Sequence, residues 1–286
     1  MKLFAISDLH VGYQANLAAL GALGHYPDDW VILAGDIGET AEQLDYVLTQ
    51  FGKRFARTIW VPGNHDLWTF PSQPGALRGH AKYERLVAVC RDHGALTPED
   101  PFATWDGEGG PCTLAPIFCL YDYSFRPDGI PRDAAVAWAM EAGVLSADES
   151  RLDPAPFASR ADWCAERCRI TEARLSETNG RHPFVIVSHF PLREDLARTP
   201  LVPRFSIWCG TRATAAWHQK FSTKVVVTGH THFRTTDWRH GVRFEEVSLG
   251  YPHQWRSELG LDHYLRQILP GPTAAPGGAP EPQWHP

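Results

Sequence analysis

The sequence contains no apolar run of about 18 residues, the length a membrane-spanning helix needs. Its N-terminus, MKLFAISD, meets Asp8 before a signal-peptide core could form. Both absences lead us to expect a cytoplasmic protein with no membrane partner. A basic excess is also missing. The chain has 27 Lys and Arg against 33 Asp and Glu, a net charge of −6, so no nucleic-acid surface is expected. The six cysteines, Cys90, Cys112, Cys119, Cys164, Cys168 and Cys209, form neither a CxxC pair nor a dense disulfide framework. Cys164 and Cys168 have helical i, i+4 spacing and read as helix residues. Free, buried thiols in a reducing compartment are the expected state.

What is present suits one folded domain over residues 1–269. Hydrophobic residues make up 43% of the 286, enough for a sizeable core, and charged residues 21%. Short β-branched runs predict strands at 2–7, 30–35, 58–63, 113–121, 183–188, 224–229 and 242–250. Helical patterns fall at 16–24, 40–55, 158–180 and 210–221. Thr40 is placed to cap the second and Gly180 to end the third. This alternation predicts an α/β fold. Residues 122–157 break the rhythm with prolines and acids over a length unusual for a plain connection. They are expected to form an insertion, with a lid over a site as one possible role. From Pro270 to Pro286 the chain is rich in proline and glycine, and a disordered tail is expected.

Polar residues gather where the predicted strands end. Asp8 and His10 follow the first, Asp36 the second, and Asn64, His65 and Asp66 the third. His189 follows FVIVS, and His230 and His232 follow VVVTG. In open α/β sheets, ligands bind outside the carboxyl ends of strands, so five strands deliver these side chains to one rim. Gly35, Gly63 and Gly229 precede three of the clusters, which suits tight turns. Taken singly, most of these motifs read as turns or caps: Gly-Asp is a common turn, and a lone histidine is more often a core residue than a ligand.

The ordered set SDLH (7–10), GDIGE (35–39), GNHD (63–66), SH (188–189) and GHTH (229–232) resembles the calcineurin-like metallophosphoesterase superfamily. The resemblance implies a four-layer αββα sandwich, in which two packed mixed sheets are flanked by helices and a dinuclear metal centre lies at the strand ends. It implies that Asp8, His10 and His232 bind one metal and Asn64, His189 and His230 the other, with Asp36 shared. Manganese is the first choice, with iron, zinc or a mixed pair as alternatives, since imidazole and oxygen donors accept all of these. The resemblance gives His65 the role of assisting the leaving oxygen. Glu39 would orient it, at a position where many relatives have Asp. Asp66 would orient the loop. The implied reaction is phosphoester hydrolysis by a hydroxide bridging the two cations and attacking phosphorus in line.

Substrate is less legible. Protein phosphatases of this superfamily follow the second motif with Asp-Arg-Gly, which GDIGETAEQ lacks. A phosphodiesterase, or a phosphatase acting on small molecules or nucleotides, is the leading expectation. A nuclease and a non-catalytic interaction module are the alternatives. Arg126, Arg132, Arg193 and Arg212 are candidate phosphate contacts, each also readable as a solvated surface residue. Tyr121, Tyr123, Trp68 and Phe190 read first as core.

Overall fold

The computed structural model describes residues 1–70, 75–275 and 281–285. Its strands are β1 (Leu3–Ile6), β2 (Tyr26–Leu33), β3 (Phe55–Trp60), β4 (Ala103–Trp105), β5 (Cys112–Pro116), β6 (Phe184–Val187), β7 (Thr223–Thr228), β8 (Thr235–Arg239), β9 (Val242–Glu246), β10 (Arg266–Leu269) and β11 (Gln283–Trp284). The helices are α1 (Gln14–Ala19), α2 (Ala41–Gly52), α3 (Asn64–Leu67), α4 (Gly79–Asp92), α5 (Ala135–Met140), α6 (Asp148–Arg151), α7 (Arg160–Thr178) and α8 (Trp217–Lys220). One sheet has the order β10-β1-β2-β3 and the other β11-β8-β9-β7-β6-β5-β4. Both are mixed: β1, β2 and β3 run parallel beside an antiparallel β10, and β5, β6, β7 and β9 run parallel between antiparallel edges.

The apolar runs are continuous because each central strand is covered on both faces. Leu3 and Ala5, Ile32 and Ala34, Val185 and Val187, and Val225 and Val227 belong to the cluster between the sheets. Their alternates, including Ile6, Val31, Leu33, Ile186 and Val226, pack in the cluster under the helices. The strand period of two thus divides one run between two cores.

Several expected boundaries move. The strand expected at 113–121 stops at Pro116, a residue with no N–H to carry a ladder onward. The helix expected at 210–221 is a 3₁₀ turn, Arg212–Thr214, followed by the short α8. The insertion 122–157 carries α5 and α6. In the stretch from 270 expected to be disordered, β11 pairs antiparallel with β8, Gln283 opposite Thr236 and Trp284 opposite Thr235. Residues 276–280 and 286 of that stretch lie outside the described residues. All six cysteines are free and buried. Among the described residues, no helix is long and apolar enough to cross a membrane.

Helix α2 leaves the second motif under close control. Thr40 Oγ1 accepts from Gln43 N at 3.2 Å, and Gln43 Oε1 accepts in return from Thr40 N at 3.2 Å and Glu39 N at 2.6 Å. This reciprocal cap satisfies amides that the first helical turn cannot. Thr40→Ala is expected to lower stability by about 1 kcal/mol, read from chemical denaturation, with the two-sheet core otherwise unchanged.

Candidate metal centre

The loops after β1, β2, β3, β6 and β7 meet at one rim because each is hydrogen-bonded to the next. Asp8 N donates to Gly35 O at 2.9 Å, His10 N to Asp36 O at 3.0 Å and Gly229 N to His189 O at 2.9 Å. Ser7 N donates to Val247 O at 3.0 Å, which joins the end of β1 to the segment after β9 in the other sheet. Asp8, His10, Asp36, His230 and His232 all have left-handed backbone, with φ of 53°, 42°, 53°, 74° and 58°. Non-glycine residues adopt this conformation at a cost of about 1–3 kcal/mol each, and such strain concentrates at functional sites. Gly63 and Gly229 serve by close approach, since a side chain at Gly63 would run into Asp36 and one at Gly229 into Asp8 and Ser7.

Six of the seven residues singled out as ligands form two groups, Asp8, His10 and His232 in one and Asp36, His189 and His230 in the other, and Asn64 adjoins the second. In the first, His232 Nε2 lies 2.9 Å from Asp8 Oδ1 and 3.4 Å from His10 Nε2. In the second, His189 Nε2 lies 3.3 Å from Asn64 Oδ1 and 3.2 Å from His230 Nδ1. Asp36 Oδ2 stands between them, 4.0 Å from His10 Nε2 and 3.6 Å from His189 Nε2.

The outer hydrogen bonds fix which atoms face inward. The Ala34 carbonyl can only accept, so His189 carries its proton on Nδ1, 2.9 Å away, and Nε2 keeps its lone pair. His232 Nδ1 likewise donates to Gln254 Oε1 at 2.8 Å, which frees Nε2. Asp8 spends Oδ2 on Ser7 Oγ, Ser248 Oγ and His230 N, leaving Oδ1 for the centre. In its neutral form His232 thus turns a nitrogen lone pair toward Asp8 Oδ1, as His189 does toward Asp36 Oδ2, an arrangement that suits a shared cation. This donor set of imidazole nitrogens, carboxylates and one amide oxygen fits divalent transition metals.

Burial sets the electrostatics. It holds His10, His189 and His230 below the usual imidazole range, helped by neighbouring histidines, which keeps them neutral. Burial works against the His232 imidazolium, yet Asp8, Glu246 and Gln254 together lift it. Burial, then Asp8 and Asp66, push the Asp36 carboxyl well above the carboxylate range. Burial opposes the Asp8 anion, and the surrounding histidines outweigh it and bring its pKa down.

His65 stands at the edge of this cluster. Its Nε2 is 3.9 Å from Asp36 Oδ2, and it also forms a compact group with His10 and Asp36. Its Nδ1 has no hydrogen bond and lies 3.6 Å from Glu39 Oε1, within reach of a small side-chain rotation. The nearby His65 ring holds Glu39 below the usual carboxylate range despite burial. Trp68 packs against the His65 ring with centroids 3.5 Å apart. Asp66 points away from the centre. Its Oδ1 accepts from Ile37 N and Gly38 N, and its Oδ2 from Asp36 N and Gly63 N, at 2.8–3.3 Å.

Several participants carry no sequence signal of their own. Glu246 accepts from the backbone of His232, Phe233 and Arg234 and so shapes the last histidine loop. Tyr251 stacks on His10 with centroids 4.6 Å apart and planes 21° apart. Asp148, in the insertion, is buried and accepts from Asn64 Nδ2 at 3.0 Å. A cavity of about 300 Å³ opens beside the cluster. Its lining combines Asp36, Asn64, His65, His230 and His232 with the apolar Pro200, Leu201, Val202, Phe205 and Phe233. The four weighed arginines do not line it. Arg212 pairs with Glu194 and Asp128, Arg193 with Asp195, Arg126 with backbone carbonyls of its own loop, and Arg132 is exposed. Tyr121 and Phe190 are buried core residues.

Known proteins share this fold. Residues 1–234 match the calcineurin-like phosphoesterase family. The chain is 46% identical over 277 residues to the [acyl-carrier-protein] phosphodiesterase PptH of Mycobacterium tuberculosis, covering 96% of this chain and 85% of that one. The crystal structure of phosphopantetheinyl hydrolase (PptH) from Mycobacterium tuberculosis superposes with a TM-score of 0.90 at 45% identity, covering 96% of this chain and 98% of that one. Another solved structure, 14% identical, covers 86% of this chain and 90% of that one with a TM-score of 0.51, and shows the fold alone. The chain belongs to the calcineurin-like phosphoesterase family and is a metal-dependent phosphoester hydrolase.

Proposed function

We propose that this protein hydrolyses the phosphodiester linking a phosphopantetheinyl arm to a carrier protein, with two metal ions held at the strand-end rim. The observation that carries the substrate reading is the mixed lining of the cavity, which joins candidate metal ligands to the apolar side chains of Leu201, Val202, Phe205 and Phe233. The arm has the matching mixture, because the carbon next to its phosphate-bearing methylene carries two methyl groups. The name of the 46% identical relative points the same way. The sequence alone favours small molecules and nucleotides; the apolar lining and the relative together draw the choice to a carrier-bound arm. A cytoplasmic location suits the free thiols and belongs to this reading, as does manganese.

In this reading Asp8, His10 and His232 hold one ion and Asn64, His189 and His230 the other, with Asp36 between. When bound, the ions supply Lewis-acid polarisation of the phosphate and an activated water. The chain's own residues do the rest. Water gives up a proton as its oxygen bonds to phosphorus, and the bond to the carrier's serine oxygen breaks. His65 would deliver a proton to that oxygen, the proton lost by water restoring the imidazolium before the next turnover. Glu39 steadies the His65 ring through Nδ1, and Trp68 limits its tilt. The insertion 122–157 acts on substrate choice indirectly, because Glu149 of α6 accepts from Trp208 Nε1 at 2.7 Å in the 3₁₀ helix Pro203–Trp208 that carries Phe205.

The direct test is mass spectrometry of a holo acyl carrier protein incubated with the manganese-loaded enzyme. Loss of the whole phosphopantetheinyl mass is expected. An intact carrier beside rapid hydrolysis of nucleotide esters would return the substrate to the small-molecule class. Metal analysis is expected to find about two ions per chain. Asp36→Asn should lose both or nearly both, whereas Asn64→Ala should weaken mainly one.

His65→Asn is expected to keep its metal and lower turnover by about 10² to 10⁴. The loss should be larger on the carrier substrate, whose alkoxide needs a proton, than on bis(p-nitrophenyl) phosphate, whose phenolate leaves unaided. Equal losses on both substrates would remove the proton-donor role. Phe205→Ala should raise KM for the carrier substrate roughly tenfold, the scale for lost apolar contact in a pocket. Its rate on the aryl ester should stay near parental.

A further inference from the structure

Asn64 is the one candidate ligand whose two ends look alike and behave as opposites. Its oxygen offers a lone pair to a cation, and its NH₂ offers only protons. Nothing in the Gly-Asn-His-Asp motif itself fixes which end faces inward. Asp148 does. Its Oδ1 accepts from Asn64 Nδ2 at 3.0 Å, and a carboxylate can only accept, so Asn64 Oδ1 is left facing His189 Nε2 at 3.3 Å. The same Oδ1 accepts from Trp68 Nε1 at 2.6 Å, and that indole packs on His65.

Asp148 is itself held firmly. It is 0% exposed. Its N–H donates to Ser146 Oγ at 3.2 Å, and its carbonyl accepts from Arg160 Nη2 at 2.7 Å. Its other oxygen, Oδ2, has no hydrogen-bond partner among the described residues. An unpartnered buried carboxylate oxygen is costly, and the arrangement persists because the first oxygen fixes two side chains at once.

We propose that Asp148 is a positioning residue for Asn64: it selects the amide orientation that presents oxygen to the metal, and so links occupancy of one metal site to the insertion that carries α6. The proposal rests on the two-metal reading above and is independent of the substrate. Outer hydrogen bonds of this kind typically carry 10- to 100-fold in metal affinity.

The test is manganese titration by calorimetry and electron paramagnetic resonance on the purified full chain and its variants, with melting temperatures measured alongside. Asp148→Ala is expected to weaken one of the two sites by about 10- to 100-fold and leave the other near parental. Asp148→Asn keeps an acceptor oxygen for both donors, so it should hold both ions at near-parental affinity. It should nevertheless melt lower, because it buries an NH₂ where Oδ2 has no partner. Metal affinity and stability then part company, which a merely structural role does not allow. Asp148→Ser, too short to reach Asn64, takes the place of the alanine variant if that does not fold. Parental binding of both ions by the alanine or serine variant overturns the role of Asp148 alone. So does loss of a site by the asparagine variant as complete as that in alanine. A parent chain that binds no manganese at saturation overturns the two-metal reading, and this proposal with it.

Discussion

The carboxylate of Asp66 is the joint on which the rim depends. It accepts four backbone N–H groups, from Asp36, Ile37 and Gly38 in the loop after β2 and from Gly63 after β3. Buried amides without partners cost about 1–3 kcal/mol each, so this side chain settles amides that the turns leave unpaired. It also sets the distance between Asp36 on one loop and Asn64 and His65 on the other. Burial raises its pKa to about 6, while the Gly63, Gly38 and Asp36 amides and Lys82 pull the other way. Lys82 adds a second clasp by donating to the carbonyls of Glu39 and Trp68, one beyond each loop.

Much of the centre is legible in the sequence because strand ends are local features. A β-branched run stopped by glycine and followed by Asp, Asn or His carries both the element and its cargo. The outer layer is not legible, because its partners are distant in sequence. Asp148 meets Asn64 across 84 residues, Trp255 Nε1 donates to Asn16 Oδ1 across 239, and Ser248 Oγ donates to Asp8 Oδ2 across 240. Glu39 illustrates the boundary. Its place in the motif is visible, but only the fold shows that a side chain one methylene longer than Asp comes within 3.6 Å of His65.

The missed elements have physical reasons too. Strand β8, TTDWR, is polar, yet Thr235, Thr236 and Asp237 are buried. Its polarity is satisfied by pairing: Asp237 accepts a bidentate contact from Arg198 at 2.7 Å, and Thr236 Oγ1 donates to Glu245 at 2.6 Å. Apolar periodicity cannot reveal such a strand. Helix α4 is different. Tyr83, Leu86, Val87 and Cys90 lie on one face at helical spacing, so the signal is present, weakened by a glycine start and by the charged residues Lys82, Glu84 and Arg85 among them. The tail is a third case. Composition gives Pro270 onward few large apolar residues, and it says nothing about a two-residue strand borrowing hydrogen bonds from the edge of a finished sheet.

Burial and charge at the centre together explain why the same residues can be both strained and stable. Asp8, Asp36 and Asp148 are buried around one small space, beside Asp66 and four histidines. In a low-dielectric interior burial first, then the neighbouring Asp8 and Asp66, drive Asp36 toward its neutral form. A cation inverts that logic, because it is the largest local charge and favours each carboxylate as an anion. The left-handed backbone at Asp8, His10, Asp36, His230 and His232 has the same source. Each of these residues turns its side chain inward against its backbone preference, and the loop-to-loop hydrogen bonds hold it there. The rim and the apolar lining of the cavity are held by different parts of the fold. The rim is fixed by strands and buried polar contacts, whereas the apolar lining at Leu201, Val202 and Phe205 lies on a loop and a 3₁₀ helix outside both sheets. The two still meet at one candidate ligand, because Phe205 lies nearly parallel to the His230 ring with centroids 6.1 Å apart.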